Sequence, residues 1–459
     1  MTSTFHGLEI GKRSLYTQQA ALTTAGHNIS NANTPGYSRQ RVDMQSTSAL
    51  PYSYQTGSVS SQLGTGVSVQ SIERIRSEYL DGQYRERNAM LGSESMKLDT
   101  LQQIEALSGE PGENGLSASL DRFWSGWEDL ASNPDSNAAR SVVVSRAEEL
   151  LDQAKSFQSG LTNVADSLSK QQAAVKDQIS SINSQIDSLN KEIVKNGNAN
   201  DLMDHRDQLI DELSGLINVN VQKQPNGEMS VTFDQTNPTG GKLKGIQDSL
   251  TTTNQLKNDL NGMFEQLVKG QDTFDASGNT VHTAGMNELL TSGFSLVRNP
   301  DGTMQQGKPL FDTNGAGNTF LEQTTITKDV KANPATLGAS SRNDAPSNGD
   351  IATAISKLKD QSFTFDISGS NDKVQTSVND FYSTLVSRLG SDAQSSERTV
   401  NNHESVLQSI NDNRMSISGV SLDEEMANLV QFQHAYNAAA RYVSTTDELL
   451  DVIINRMGV

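Results

Sequence analysis

The run from Val143 to Ile193 constrains this chain more than any other stretch. Val143, Ala147, Leu150, Ala154, Phe157, Leu161, Val164 and Leu168 recur at alternating steps of four and three. That spacing places an apolar residue on one helix face at nearly every turn, the seam of a helix that lies along other helices. After Gln171 and Val175 the register skips once, and Ile179, Ile182, Ile186, Leu189 and Ile193 resume it. One extra step of four is a stutter, which unwinds a supercoil locally without ending the helix. At 1.5 Å per residue the run is roughly 75 Å long, far beyond an average globular helix. Rods of this kind build elongated molecules.

Both ends of the chain repeat the pattern on a smaller scale. Leu8, Leu15, Leu22 and Ile29 are seven apart, as are Leu422, Leu429, Tyr436, Val443, Leu450 and Met457. Met426, Ala440 and Ile454 complete the second seam, and Ser421 with Glu424 fits a capping box at its start. A lone helix with one narrow apolar edge is marginal in water, so the two terminal helices are expected to pair, the alternative being that they are core helices of one domain. Between them, Pro35 and Gly36 end the first helix, and residues 40–75 read as extended. Helix is expected at 76–108, around Phe123–Trp127, along the long run, and at Asp201–Ile217. From Val219 the period changes to two, with a turn at Pro225–Gly227. Helix is expected again at 350–359 and at 373–415, where Val374, Val378, Phe381 and Leu385 form a second long seam.

These elements predict a mainly α protein with a β-rich insert (α+β): an elongated, nested hairpin with paired terminal helices, a long helical bundle domain and a small β domain. The expected boundaries are 1–38 with 419–459 for a terminal coiled-coil assembly domain, 39–218 with 346–418 for a long-helix rod, and 219–345 for the insert. Composition agrees, because 34% hydrophobic and 5% aromatic residues suit narrow seams better than one thick core.

A net charge of −19 opposes nucleic-acid binding and docking on an anionic membrane. The absence of cysteine excludes disulfides and thiolate chemistry. Lys12 and Arg13 are followed by no apolar h-region, so no ordinary cleaved secretion signal is expected. Candidate chemical sites are thin. Asp201, Asp204, His205 and Asp207 lie on one helix, but one helix cannot close a metal site, and an exposed acidic face with Arg206 as counter-ion is expected. Asp272–Asn279 resembles a calcium loop but has Thr283 where the closing acid belongs. His403 falls in phase with Val400 and Leu407 and reads as a half-buried seam residue. No catalytic residue, metal ligand or cofactor is assigned.

The stretch Ala21–Tyr37, containing Asn31, Asn33, Pro35, Gly36 and Tyr37, resembles the N-terminal signature of the bacterial flagellar rod, hook and hook-associated axial proteins. Glu425–Leu450 resembles the matching C-terminal end. Phe123–Pro134, Ala147–Leu150, Ala199–Ile210 and Ser38–Gln40 are similar to the hook-associated protein 1 branch. The resemblance covers about 1–220 and 350–459.

It implies a structural, non-enzymatic component of the hook–filament junction, exported through the flagellar channel without a cleaved signal peptide. The implied partners are copies of itself in a ring, hook protein, hook-associated protein 3, the type III export apparatus and an export chaperone, with no nucleic acid and no membrane. From the seven-residue spacing and the turn motif, the expected assembly contacts are Leu8, Leu15, Leu22, Ile29 and the Asn31–Tyr37 motif at one end, and Leu422, Met426, Leu429, Tyr436, Val443, Leu450, Ile454 and Met457 at the other. Within the family, hook protein and hook-associated protein 3 remain alternatives. An axial protein carrying a hydrolase domain is a further one, for which no supported carboxylate pair is found.

Overall fold

The computed structural model describes residues 5–52, 61–197, 199–274, 279–368 and 373–452. Helix α1 (His6–Ser30) leads into strands β1 (Gln40–Ser46), β2 (Leu50–Tyr52), β3 (Ser61–Leu63) and β4 (Val67–Arg74). Four helices follow: α2 (Glu78–Ser108), α3 (Leu116–Ser132), α4 (Asn137–Asn196) and α5 (Asn200–Leu216). The hairpin β5 (Asn220–Lys223) and β6 (Met229–Thr232) precedes α6 (Gly241–Lys269). Then come β7 (Gly270–Phe274), β8 (Thr280–Ala284), α7 (Met286–Ser292), β9 (Phe294–Arg298), β10 (Met304–Gln306) and β11 (Phe311–Thr313). The short α8 (Phe320–Gln323), β12 (Thr324–Ile326), α9 (Lys328–Ala332) and α10 (Asp350–Ser356) lead to β13 (Phe363–Asp366) and β14 (Lys373–Thr376). The long α11 (Val378–Ser418) and α12 (Leu422–Asp451) close the described chain.

The fold is mainly helical with small antiparallel strand pairs, as the periodicity predicts. The stuttered run is one unbroken helix of 60 residues, α4. Gly197, at φ +59, ends it in a left-handed turn that favours glycine. Strands pair only two by two among the described residues. Within 219–345 the pairs alternate with helices, the longest being α6 at 29 residues.

One boundary differs from the expectation. Residues 373–376 are strand β14 rather than the start of the second long seam, with Val374 opposite Phe365 in the ladder. The reason is local. Phe363 and Phe365 are fully buried and need a paired backbone beside them. Ser377 Oγ accepts the amide of Asp380 at 3.1 Å, which starts the helix only after residue 377.

The chain divides into two compact units. Unit 2 comprises residues 92–176 and 242–401. Its core holds Phe123, Trp124, Trp127 and Leu130 of α3 together with Val143, Ala147, Leu150, Ala154 and Leu161 of α4. Phe365 stacks on Phe381 of α11 at 4.1 Å between ring centroids, and Trp124 Nε1 donates to Asn379 Oδ1 at 2.9 Å. Buried Arg140 donates to the carbonyls of Leu337 and Pro134, and burial lowers its pKa to about 10.

Unit 1 comprises residues 1–91, 177–241 and 402–459. It contains α1, the β1–β4 ladder, α5, the β5–β6 hairpin and α12. Ile179, Ile182 and Ile186 of α4 and Ile210 and Leu213 of α5 are buried there.

Candidate assembly site

Helices α1 and α12 pack along each other. Gly7 lies against Thr446, Gly11 against Val443, and Asn28 against Glu425, so the helices run antiparallel. Glycine permits the close approach: a Cβ on Gly11 would stand 2.5 Å from Val443 Cγ2. The β1–β4 ladder also packs on α1, with Thr17 Oγ1 donating to the Val67 carbonyl at 3.4 Å. Ser421 caps α12 by accepting the Glu424 amide, in agreement with the capping pattern.

The heptad residues occupy the margins of this packing. The buried positions of α1 are Gly11, Thr17, Ala21, Thr24, Ala25 and Asn28, whereas Leu8, Leu15, Leu22 and Ile29 are half-buried. On α12, Leu450 is buried and Leu429, Tyr436 and Val443 are half-buried. Leu422 and Met426 remain 50% and 51% exposed. Leu8, Leu15, Tyr436 and Val443 come together with Phe5 and Tyr16 in the walls of a groove of about 730 Å³. Ile454 and Met457 lie outside the described residues.

The Asn31–Tyr37 motif turns the chain sharply at the end of α1. Asn31 caps the helix, its Nδ2 donating to the His27 carbonyl at 3.0 Å. The Thr34 amide donates to the Asn31 carbonyl at 2.9 Å. Gly36 takes φ +79, a conformation favouring glycine, beside Gln208. Asn33 and Pro35 are exposed and line a cleft of about 490 Å³ with Arg76 and Arg414.

Tyr37 closes a polar network that spacing alone does not reveal. Its hydroxyl donates to Asn28 Oδ1 at 2.8 Å and lies 3.0 Å from His27 Nδ1. Burial, then Asp201, Asp204 and Glu425, push its pKa well above the ordinary value. Asn28 Nδ2 donates to the Gln40 carbonyl at 2.8 Å and to Glu425 Oε2 at 3.1 Å. Arg39 Nε donates to Glu425 Oε1 at 2.7 Å, and Arg39 Nη1 to Glu424 Oε2 at 2.8 Å. Glu425 is thus a buried carboxylate with partners from α1 and from the segment after the motif. In sequence it stands among three consecutive acids suited to a helix N-terminus, so nothing marks it as buried.

The acidic helix differs from its expected reading. Asp204 and Asp207 are buried, and so is Arg206, whose hydrogen bonds go to other groups. Its Nη1 donates to Asn190 Oδ1 and the Gly227 carbonyl at 3.0 and 2.9 Å. The true counter-ions come from distant segments. Arg74 Nη1 reaches Asp204 and Asp207 at 2.7 and 2.9 Å, and Arg85 Nε reaches Asp211 at 2.7 Å. Arg414 bridges Asp81 and Asp211 at 2.9 and 2.7 Å and lies over the Tyr84 ring. Burial pushes the Asp207 pKa up, but Arg76, Arg74, Arg85 and Arg206 together outweigh it and hold it below the usual carboxylate range.

Elsewhere the candidate chemistry stays thin. Asp275–Gly278 of the calcium-like loop lie outside the described residues. Its flank carries a different contact: His282 Nδ1 lies 2.6 Å from Asp272 and Nε2 2.7 Å from Glu288. His403 is half-buried. Among the described residues no group of three or more His, Asp or Glu could hold a metal, and no helix is long and apolar enough to cross a membrane.

Comparison with known proteins agrees with this architecture. Residues 101–238 match the flagellar hook-associated protein FlgK helical domain. Residues 8–37 match the flagella basal body rod protein model, and 411–457 the C-terminal model of the flagellar basal body rod FlgEFG proteins. Flagellar hook-associated protein 1 of Bacillus subtilis (strain 168) is 33% identical, covering 100% of this chain and 99% of that protein. The Salmonella typhimurium protein of the same description is 25% identical, over 95% of this chain and 97% of its own. Among solved structures, the flagellar hook junction protein FlgK from Burkholderia pseudomallei shares the fold at a TM-score of 0.58 and 13% identity. It covers 73% of this chain and 100% of its own.

Proposed function

The chain belongs to the flagellar hook-associated protein 1 family, and from that premise we propose how it works as a structural component of the junction between hook and filament. Copies form a ring, with the α1–α12 pair of each copy lying against that of the next. Hook protein adjoins one side of the ring and hook-associated protein 3 the other. The chain reaches this place through the type III export apparatus and the flagellar channel, escorted by an export chaperone and without a cleaved signal peptide. The role requires no catalytic step.

The observation that carries the reading is the open apolar edge of the terminal pair. Leu422, Met426 and Val430 of α12 stand one turn apart and about half exposed, on a helix whose neighbouring face is already occupied by α1. Full burial of such a side chain is worth about 1.5–3 kcal/mol, and about half of that gain waits for a neighbour.

Immunogold labelling of intact flagella tests the placement. Label concentrated in one band between hook and filament is expected. Label spread along either structure, or none outside the cell, would sink it.

A further inference from the structure

Within unit 1 the terminal helices and the β1–β4 ladder connect to the rest of the unit through two crossings of the chain. One is Ile75–Ser77, between β4 and α2, and the other is Gly419–Ser421, between α11 and α12. Each crossing is a few residues long, and the second begins with glycine. Such links are hinges unless something holds them.

Both are held from the same face of α5. Asp204, Asp207 and Asp211 are spaced by three and four, so they share one side of the helix. At the first crossing, Arg74 binds Asp204 and Asp207, while Arg76 Nη1 lies 3.6 Å from Asp207 and its Nη2 3.7 Å from Asp211. At the second, Arg414 binds Asp211 four residues before α11 ends. Asp204 Oδ2 also accepts the Ser38 amide at 3.0 Å, which anchors the segment after the motif. The crossings are tied to each other as well: the Arg39 amide donates to the Ser418 carbonyl at 2.9 Å, and the Ile75 amide to the Arg39 carbonyl at 2.8 Å.

We propose that Asp204, Asp207 and Asp211 are positioning residues that lock both crossings, so that the α1–α12 pair is presented to its neighbours in one fixed direction. Apolar packing would tolerate small rotations of the pair, whereas directional ion pairs at a buried face select one geometry. The cluster ties together segments far apart in sequence, which local stability of α5 would not require. The consequence for assembly rests on the reading of the terminal pair as the assembly element, but the lock itself can be measured without assembly.

The test is hydrogen exchange by mass spectrometry on the full chain. Arg414→Met should speed exchange of peptides covering 415–421 by about tenfold or more, and 38–40 and 74–77, which are linked to it through the Arg39 amide and carbonyl, by clearly less. Arg74→Met should do the reverse. Asp204→Ala should speed exchange at 38–40 and 74–77, while the β5–β6 hairpin and all of unit 2 keep parental rates. Unchanged rates at both crossings overturn the proposal. So does uniform acceleration across unit 1, which would make the cluster a general stabiliser. The two Arg→Met variants keep the test open should Asp204→Ala fail to fold. In cells, both should be exported at parental levels yet support fewer filaments. Parental filament numbers alongside a loosened crossing would also overturn the positioning role.

Discussion

Helix α4 and the α1–α12 pair carry the same seven-residue pattern, and the chain treats them differently. Along α4, Ala147, Leu161 and Ile179 have no exposed surface, because facing segments of the same chain cover them. Along α12, Leu422 and Met426 keep half their surface in water, and the face against α1 is made partly of Gly7, Gly11 and Asn28. One seam is completed within the chain and stabilises it. The other is half completed, which leaves apolar area for a neighbour. Periodicity alone does not separate the two cases; the residues between the heptad positions do.

The contrast breaks most easily at the α4 side. Trp127, fully buried beside Phe123, should lose about 3–5 kcal/mol of stability on change to alanine, read as a lower denaturation midpoint of the free chain. A shift under about 1 kcal/mol would mean this seam is also loosely filled.

Acid should come next. The pKa of Asp207 is held below that of an unfolded aspartate, so its contribution is fully present above a pH of about 3.9. It is lost as pH falls through the lower folded value. Asp207→Asn should therefore flatten the stability curve on the acid side, checked by urea unfolding between neutral pH and pH 3. An unchanged acid limb would show that the cluster does not titrate with folding.

Leu422→Ala and Met426→Ala should each move the midpoint of the free chain by less than about 0.5 kcal/mol. A loss comparable to that of Trp127→Ala would show that the α12 seam is already complete in the single chain.

The smallest effect is expected at the exposed His282. Its two carboxylate neighbours raise its pKa by accepting hydrogen bonds from the ring, Asp272 first and then Glu288. The link between β7–β8 and α7 should therefore be complete below a pH of about 6.5 and fade as pH rises through the folded value. Proton NMR titration of the ring checks this, and an ordinary or lowered pKa would contradict it.

Much of the helical plan was legible, because a helix buried along one side must repeat its apolar residues near every turn. Val143–Ile193 and Phe123–Trp127 carried that signal, and Ser421 with Glu424 marked a helix start by its capping pattern. Val374 misled, since a single valine in phase with a later seam cannot report that two buried phenylalanines need a strand beside them. The site was legible only in part. The Asn31–Tyr37 turn follows from Pro35 and Gly36, but the burial of Asp204 and Asp207 depends on Arg74, Arg76 and Arg85. Those arginines come from segments more than a hundred residues away, a distance no local pattern spans.

The most direct test of the open seam is the double variant Leu422→Asp with Met426→Asp, expressed as the sole copy. Its export into the medium and its assembly into flagella would be measured against the parent. Parental export, an unchanged denaturation midpoint of the free chain, and hooks without filaments are expected. Normal filaments grown from that variant would contradict the open seam.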